Sequence, residues 1–190
     1  MPARVRRRAD AEVNRARIVD AARAALAGSN GAVDELRLQA VAGAAGVGQG
    51  TLYRHFPTRE HLLAEVYRHE MDELVADVPA LLADYAPLEA LRRWFDRLAE
   101  YARVKRGVMA AIEASAWLDL YADQHVRLDD ALGELLDQGR RAGELRADVD
   151  ATDVILLLGA LSRIPASEWD ARVGTVLAVM VEGLRAPRPR

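Results

Sequence analysis

The chain has 190 residues and a net charge of −3, with 51% hydrophobic and 29% charged residues, and this composition supports a packed core and excludes global disorder. The absence of cysteine from the sequence excludes disulfides, thiolate metal sites and cysteine nucleophiles. No apolar run approaches the ~20 residues of a spanning helix, and no apolar segment follows the N-terminal arginines, so we predict neither a membrane helix nor a secretory signal and expect a cytoplasmic protein.

The hydrophobic pattern of the first half of the chain predicts four helices. Apolar residues recur with helical spacing from Glu12 to Ala27, which predicts a first amphipathic helix. Two short helices are expected at Leu38–Ala45 and Gly48–His55. Thr58 is the expected N-cap of a fourth helix that runs to about Ala76.

The second half of the chain is also predicted to be helical. Pro79 and Pro87 bracket a segment with the character of a linker. Breaks are then expected at Gly107, Gly143 and Pro165, which gives helices at residues 88–104, 108–119, 123–142, 151–163 and 168–185. No segment alternates convincingly with a period of two, so the predicted fold class is all-α.

The charge is unevenly distributed along the chain. Residues 1–60 carry a net charge of +4 and the remainder carries −7, which indicates a local contact with a polyanion at the N-terminal end. We expect residues 1–11 to form a flexible basic arm, whose arginines would enter a minor groove or lie on a nucleic-acid backbone; these are Arg4, Arg6, Arg7 and Arg8.

The segment Gly46–Phe56, GVGQGTLYRHF, admits two interpretations. A nucleotide-phosphate loop is disfavoured, because the third glycine comes one residue too early for a dinucleotide fingerprint and the only lysine of the chain, Lys105, is far from this segment. A helix–turn–helix needs small residues where two short helices cross, a glycine at the turn and an apolar residue beside it. Ala42, Ala45, Gly46 and Val47 meet these needs, so the segment predicts a DNA-binding helix–turn–helix.

The second of these helices supplies the candidate readers of DNA. The amide of Gln49 is able to bond adenine N6 and N7 together, and Thr51 offers either a hydroxyl or a methyl group for thymine. Gly48 and Gly50 carry no side chain and so permit close approach of the helix to DNA. Phosphate contacts are expected from the aromatic and basic residues that follow, which are Tyr53, Arg54, His55 and Arg59.

Residues 38–67, LQAVAGAAGVGQGTLYRHFPTREHLLAEVY, resemble the helix–turn–helix of the tetracycline-repressor-like (TetR-like) transcription regulators. The resemblance covers roughly residues 12–70 and implies a DNA-binding domain at residues 12–57. A helical connector with a larger ligand-binding and dimerisation domain would follow at 58–186, with a tail at 187–190. It also implies a homodimeric repressor that leaves a palindromic double-stranded operator when a small-molecule effector of unknown identity binds.

The resemblance assigns roles to individual residues. Gln49, Gly50 and Thr51 match the base-reading segment of the family, and Tyr53, His55 and Arg59 match its phosphate contacts. This chain has Arg37 where the family often has Ser or Thr, so we expect Arg37 to reach a phosphate by its charge.

Two further sets of residues concern the larger domain. Any ligand pocket is expected among the middle helices, lined by Trp94, Leu98, Tyr101, Met109, Trp117 and Tyr121. The last two helices are apolar around most of their circumference, so a second copy of the chain is expected to cover them. The predicted dimer interface contains Val154, Leu157, Leu158, Leu161, Val173, Val176, Leu177 and Met180.

Two alternatives remain open at this stage. One is a helical interaction module that does not bind DNA. The other is a small metalloenzyme built on His61, Glu65 and His69, although the chain lacks the H-E-x-x-H pattern. The neighbouring Asp129 and Asp130 do not share a helix face, which disfavours a paired-carboxylate acid/base role. We therefore predict no catalytic residue, no metal and no cofactor.

Overall fold

The computed structural model describes residues 2–28, 36–111 and 114–187, and its regular elements are helical apart from one isolated bridge between Leu145 and Arg185. This confirms the predicted all-α fold. The helices are α1 (Pro2–Gly28), α2 (Leu38–Ala45), α3 (Gln49–His55), α4 (Arg59–Asp84), α5 (Pro87–Ala111), α6 (Ala114–Arg141), α7 (Ala151–Leu158) and α8 (Trp169–Leu184). Two 3-10 turns, Gly159–Arg163 and Ala166–Glu168, lie between α7 and α8.

The first helix differs most from its predicted bounds at its N-terminus. It begins at Pro2, ten residues before Glu12, so residues 2–11 have a helical backbone where a flexible arm is predicted. The side chains of Arg4, Arg6, Arg7 and Arg8 lie outside the described residues. Their contact with a minor groove or a DNA backbone stays a prediction.

Three predicted breaks are wrong, and one of them, the gap at residues 120–122, lies inside α6 (Ala114–Arg141). Pro79 lies inside α4, which continues to Asp84, and Pro87 is the first residue of α5, so the expected linker shrinks to two residues. A proline inside a helix removes one backbone hydrogen-bond donor. Leu74 and Val78 nearby are buried, and this apolar packing keeps α4 continuous through Pro79. Gly107 likewise lies within α5.

The glycines that do end helices have a left-handed backbone. Among the described glycines, Gly46 has a φ of 66° and Gly143 a φ of 70°, and they follow α2 and α6. A glycine with ordinary helical angles costs only about 1 kcal/mol relative to alanine, so Gly107 does not stop α5. The backbone angle, rather than the residue type, marks these helix ends.

The chain forms two compact units. The first comprises residues 1–69 and 104–114, and the second comprises residues 70–103 and 115–190, so α4 and α5 each contribute to both. The core of the first unit is apolar and includes Ile18, Ala22, Leu26, Val41, Ala42, Ala45, Leu52, Phe56, Leu62, Leu63, Val66 and Tyr67. These residues come from α1, α2 and α3 and from the first turns of α4, so the helix–turn–helix is packed as part of this unit.

The second unit is organised around two buried tryptophans, Trp94 and Trp169. The indole Nε1 of Trp94 donates a hydrogen bond of 2.9 Å to the carbonyl oxygen of Leu74, which satisfies its polar atom inside the core. The N-terminus of α7 is closed by a capping box between Asp150 and Asp153. No helix in the described parts of the chain contains a stretch long and apolar enough to cross a membrane.

Candidate nucleic-acid interface

The turn between α2 and α3 is built from backbone hydrogen bonds. The amide of Gly46 donates to the carbonyl of Gly43 at 3.1 Å, and the amide of Val47 donates to the carbonyl of Ala42 at 3.0 Å. Gly46 has the left-handed conformation that this cap requires, and residues with a Cβ adopt it at a cost. The sequence pattern identified this turn correctly.

The inward face of the turn is apolar. Leu52 and Phe56 are buried as predicted, and Val47 is half-buried. The guanidinium of Arg15 on α1 lies 4.7 Å from the centroid of the Phe56 ring and forms an ion pair of 2.9 Å with Glu65 on α4. Glu65 also pairs with Arg68 at 2.7 Å. These contacts link α1 to the end of α3 and the start of α4, so they fix the orientation of the candidate recognition helix.

The outward face of α3 is open. Gln49 and Gly50 are exposed, Thr51 is half-buried, and Tyr53 is 46% exposed. A Cβ added at Gly48 or at Gly50 would meet no atom within 4 Å. Gly48 has φ −69° and ψ 148°, angles that any residue adopts. Neither internal packing nor backbone strain in the free chain therefore requires these two glycines.

Arg54 is positioned by contacts within its own helix. Its Nε donates a hydrogen bond of 2.9 Å to the carbonyl of Gly50, and its Nη2 donates one of 3.2 Å to the hydroxyl of Thr51. His55 is half-buried, with its ring tilted against Phe56 at a centroid distance of 6.4 Å. Spacing alone did not indicate the link between Arg54 and Thr51.

The N-terminus of α4 adds a second polar group of residues. The Thr58 hydroxyl accepts a hydrogen bond of 3.4 Å from the amide of His61, as expected for a helix cap, and lies 2.9 Å from Nδ1 of the same histidine. The pKa of Glu60 is lowered by hydrogen bonds from the Thr58 side chain and from the backbone amide of Glu60 itself. The Glu60 carboxylate therefore stays charged. Because that charge repels a phosphate, binding of an anion here would depend on the half-buried Arg59.

Arg37 occupies the N-cap position of α2. It is exposed, its backbone is extended, and its side chain makes no capping hydrogen bond. The helix thus begins without the hydroxyl cap that Ser or Thr would supply, as the sequence indicated. Contact between Arg37 and a phosphate stays a prediction.

The residues predicted to line a ligand pocket divide into three groups. Trp94, Leu98 and Tyr101 are buried in the second unit. Met109 belongs to the first unit and is 42% exposed. The side chains of Trp117 and Tyr121 lie outside the described residues. Pocket lining by any of these six stays a prediction.

The predicted dimer residues divide by their burial within the chain. Val154, Leu158, Leu161 and Leu177 are buried in the core of the chain itself and leave almost no surface for a partner. By contrast, Leu157 is exposed, as are two apolar residues of α7 and α8 that we did not include in the predicted interface, Leu156 and Val179, which are 72% and 67% exposed. The remaining predicted interface residues, Val173, Val176 and Met180, are half-buried.

The candidate metal ligands are not arranged as a site. Glu65 is engaged by Arg15 and Arg68, and His61 lies on the Thr58 hydroxyl. Within the described ranges no three His, Cys, Asp or Glu side chains converge in a way that would hold a metal ion.

The fold and this turn define a helix–turn–helix protein with a larger helical second unit. Residues 18–66 match the model of the tetR family of bacterial regulatory proteins, and residues 86–186 match that of the C-terminal domain of SbtR-like transcriptional regulators. The chain belongs to the TetR family of transcriptional regulators.

Solved structures agree with this assignment. A TetR transcriptional regulator from Streptomyces coelicolor is 37% identical, with a TM-score of 0.78 and coverage of 92% of this chain and 99% of that one. A TetR regulatory protein from Mycobacterium vanbaalenii is 33% identical, with a TM-score of 0.70 and coverage of 94% and 99%. A TetR-family regulator from Agrobacterium tumefaciens shares the fold at 17% identity, with a TM-score of 0.68 and coverage of 93% and 100%. No curated protein gives a significant match.

Proposed function

We propose that this transcriptional regulator is a homodimeric repressor that binds a palindromic DNA operator and is released by a small molecule. The observation that carries the proposal is the helix–turn–helix geometry at Gly46, which leaves the outward face of α3, including the bare Gly48 and Gly50, open to solvent. A backbone surface cleared in this way fits close approach to the edges of bases in a major groove. The protein acts by binding and not by catalysis.

The residues around this face divide into readers and phosphate contacts. Gln49 and Thr51 read bases from the first turn of α3, beside the bare Gly50. The phosphate contacts surround them and come from Arg37, Tyr53, Arg54, His55 and Arg59. Such contacts fix the register of the helix on the duplex, while the readers supply sequence preference.

The exposed apolar surface of α7 and α8 supports the homodimer. Leu156, Leu157 and Val179 are all more than half exposed in the single chain, and they lie on the two helices where a partner is predicted. Packing of this surface against its own copy forms a four-helix interface. Two recognition helices related by a two-fold axis then require a palindromic site.

We assign to α4 the conformational change by which a small molecule releases the protein from DNA. This helix is continuous from Arg59 to Asp84 and contributes residues to both units, which supports its assignment as the element that couples ligand binding to DNA release. A ligand that binds beside the buried aromatic residues Trp94 and Tyr101 favours a state in which α4 swings the two DNA-binding heads out of register with successive major grooves. Structures with equal separation between the heads, with and without an inducer that dissociates DNA, would contradict this mechanism.

Binding measurements with two variants test the DNA-reading roles. Gln49→Ala is expected to relax preference at one base position, worth about 1–3 kcal/mol of discrimination. Arg59→Ala is expected to weaken binding to operator and random DNA alike and to flatten the dependence of affinity on salt. Identical behaviour of both variants on operator and random DNA would show that the roles are wrongly assigned.

Measurement of DNA affinity as a function of salt concentration also distinguishes the proposed repressor from a helical interaction module. A reader with several phosphate contacts loses affinity steeply as salt rises, because binding releases condensed counterions. Weak DNA binding with little salt dependence would favour the interaction module.

A further inference from the structure

We propose that Arg54 is a positioning residue that fixes the Thr51 hydroxyl as a hydrogen-bond donor, so that Thr51 contacts an acceptor atom of DNA and not a thymine methyl group. This inference rests on the proposed DNA binding and deepens it. It decides between the two modes of contact, hydroxyl or methyl, that the sequence left open for Thr51.

The geometry begins with the fork of the Arg54 guanidinium. Its Nε binds the carbonyl of Gly50 at 2.9 Å, and its Nη2 binds the Thr51 hydroxyl oxygen at 3.2 Å. Two bonds from one planar group hold that group in a single orientation. The guanidinium therefore lies along the first turn of α3, next to the residues assigned to base reading, and does not extend freely into solvent.

The hydrogen-bond inventory of Thr51 gives the direction of its remaining bond. A hydroxyl has one hydrogen to donate and two lone pairs that accept. Arg54 donates to the Thr51 oxygen, and a guanidinium cannot accept, so the hydroxyl hydrogen is not used in this pair. Within the part of the chain that the structure describes, no acceptor receives that hydrogen.

The environment of Thr51 leaves room for an external acceptor. Gly48 and Gly50, which both precede Thr51, would each carry a Cβ into open space. The positive charge of Arg54 also strengthens donation by the hydroxyl that it contacts. The matching groups on DNA are a phosphate oxygen, guanine N7 or O6, adenine N7 and thymine O4. Amino groups of adenine and cytosine do not match, because they donate.

Substitution of Thr51 tests the donor role. Thr51→Val keeps the branched shape and has a similar helix propensity but removes the hydroxyl, whereas Thr51→Ser keeps the hydroxyl and removes the methyl group. We expect Thr51→Val to weaken operator binding roughly 10-fold and Thr51→Ser to bind within about 2-fold of wild type. Thermal melting of each variant checks that the fold is intact. The opposite ranking of the two variants would overturn the proposal.

Comparison of operator with random DNA identifies the acceptor. An equal loss on both by Thr51→Val identifies a phosphate oxygen. A loss confined to the operator, with relaxed preference at one base position, identifies a base acceptor. Both results support donation by Thr51, and wild-type binding by Thr51→Val on both DNAs overturns it.

A double-mutant cycle tests whether Arg54 acts through Thr51. Arg54→Lys keeps the positive charge, and with it the proposed phosphate contact of this side chain, but removes the two-pronged donor that binds Gly50 and Thr51. We expect it to weaken operator binding about 3–10-fold with Thr51 present and to change little in the background of Thr51→Val. Equal losses in both backgrounds, or no loss in either, would overturn the positioning role. Failure of the wild-type chain to bind any DNA would instead reject the proposed function itself, and this inference with it.

Discussion

Replacement of Gly50 by alanine separates the stability of this protein from its proposed DNA binding. Gly50 is the second residue of α3, and an added Cβ meets no atom within 4 Å. Alanine in place of a helical glycine stabilises by about 0.5–1 kcal/mol. For a chain of this size a gain of 1 kcal/mol raises the melting temperature by roughly 2–4 °C. The free protein is therefore expected to become slightly more stable.

The effect on DNA has the opposite sign. If the bare surface at Gly50 lies against the bases, the new methyl group holds the helix away and weakens several contacts. A loss comparable to one mismatched base pair, about 1–3 kcal/mol, corresponds to a roughly 5–150-fold weaker operator complex. Calorimetric melting and fluorescence titration with operator DNA measure the two effects on the same preparation.

Gly133→Ala is the matched control. Gly133 is also helical, in α6, and its added Cβ also meets no atom within 4 Å. It is expected to raise the melting temperature by a similar amount and to leave operator affinity unchanged. Wild-type operator affinity of Gly50→Ala would refute the assignment of this face of α3 to DNA.

Three further substitutions test other parts of the account. A Cβ at Gly139 would overlap Cδ1 and Cγ of the buried Leu145. Gly139→Ala is therefore expected to lower the free energy of unfolding by about 1–3 kcal/mol, measured by urea unfolding. An increase in stability like that expected of Gly133→Ala would contradict this packing. Asp150→Ala removes the capping box of α7 and should cost about 1 kcal/mol, and an unchanged unfolding midpoint would show that the cap is dispensable. Leu157→Glu places a charge on the exposed surface of α7, and sedimentation should report monomers with intact helical circular dichroism; a persistent dimer would place the interface elsewhere.

Local signals explain why the helix–turn–helix was predictable from the sequence. The left-handed Gly46, the buried Leu52 and Phe56 and the Thr58 cap each depend on residues within a few positions. Their backbone and burial follow directly from residue type and spacing. The bounds of α2 and the start of α4 were therefore predicted correctly.

Packing at longer range explains where the sequence interpretation failed. Proline and glycine have low helix propensity, yet α4 continues through Pro79 and α5 continues through Gly107. The cost of one such residue is small beside the apolar burial along helices of 26 and 25 residues. A helix-breaking residue type alone therefore does not predict whether the helix ends there.

The last two helices illustrate a second limit. Helical periodicity showed that α7 and α8 are apolar on several sides, but it did not show which side the chain covers itself. The structure buries Val154 and Leu177 and exposes Leu156 and Val179. The link between Arg54 and Thr51 was missed for a related reason, because side-chain direction is not given by spacing alone.

Selection of bound sequences from a random pool of double-stranded DNA tests the central claim most directly. A homodimer that reads DNA through α3 is expected to enrich a two-fold symmetric site whose half-sites lie one helical turn, or a multiple of one, apart. Gln49→Ala should relax the same position in each half-site. Enrichment of no sequence, or of a site without two-fold symmetry, would contradict the account.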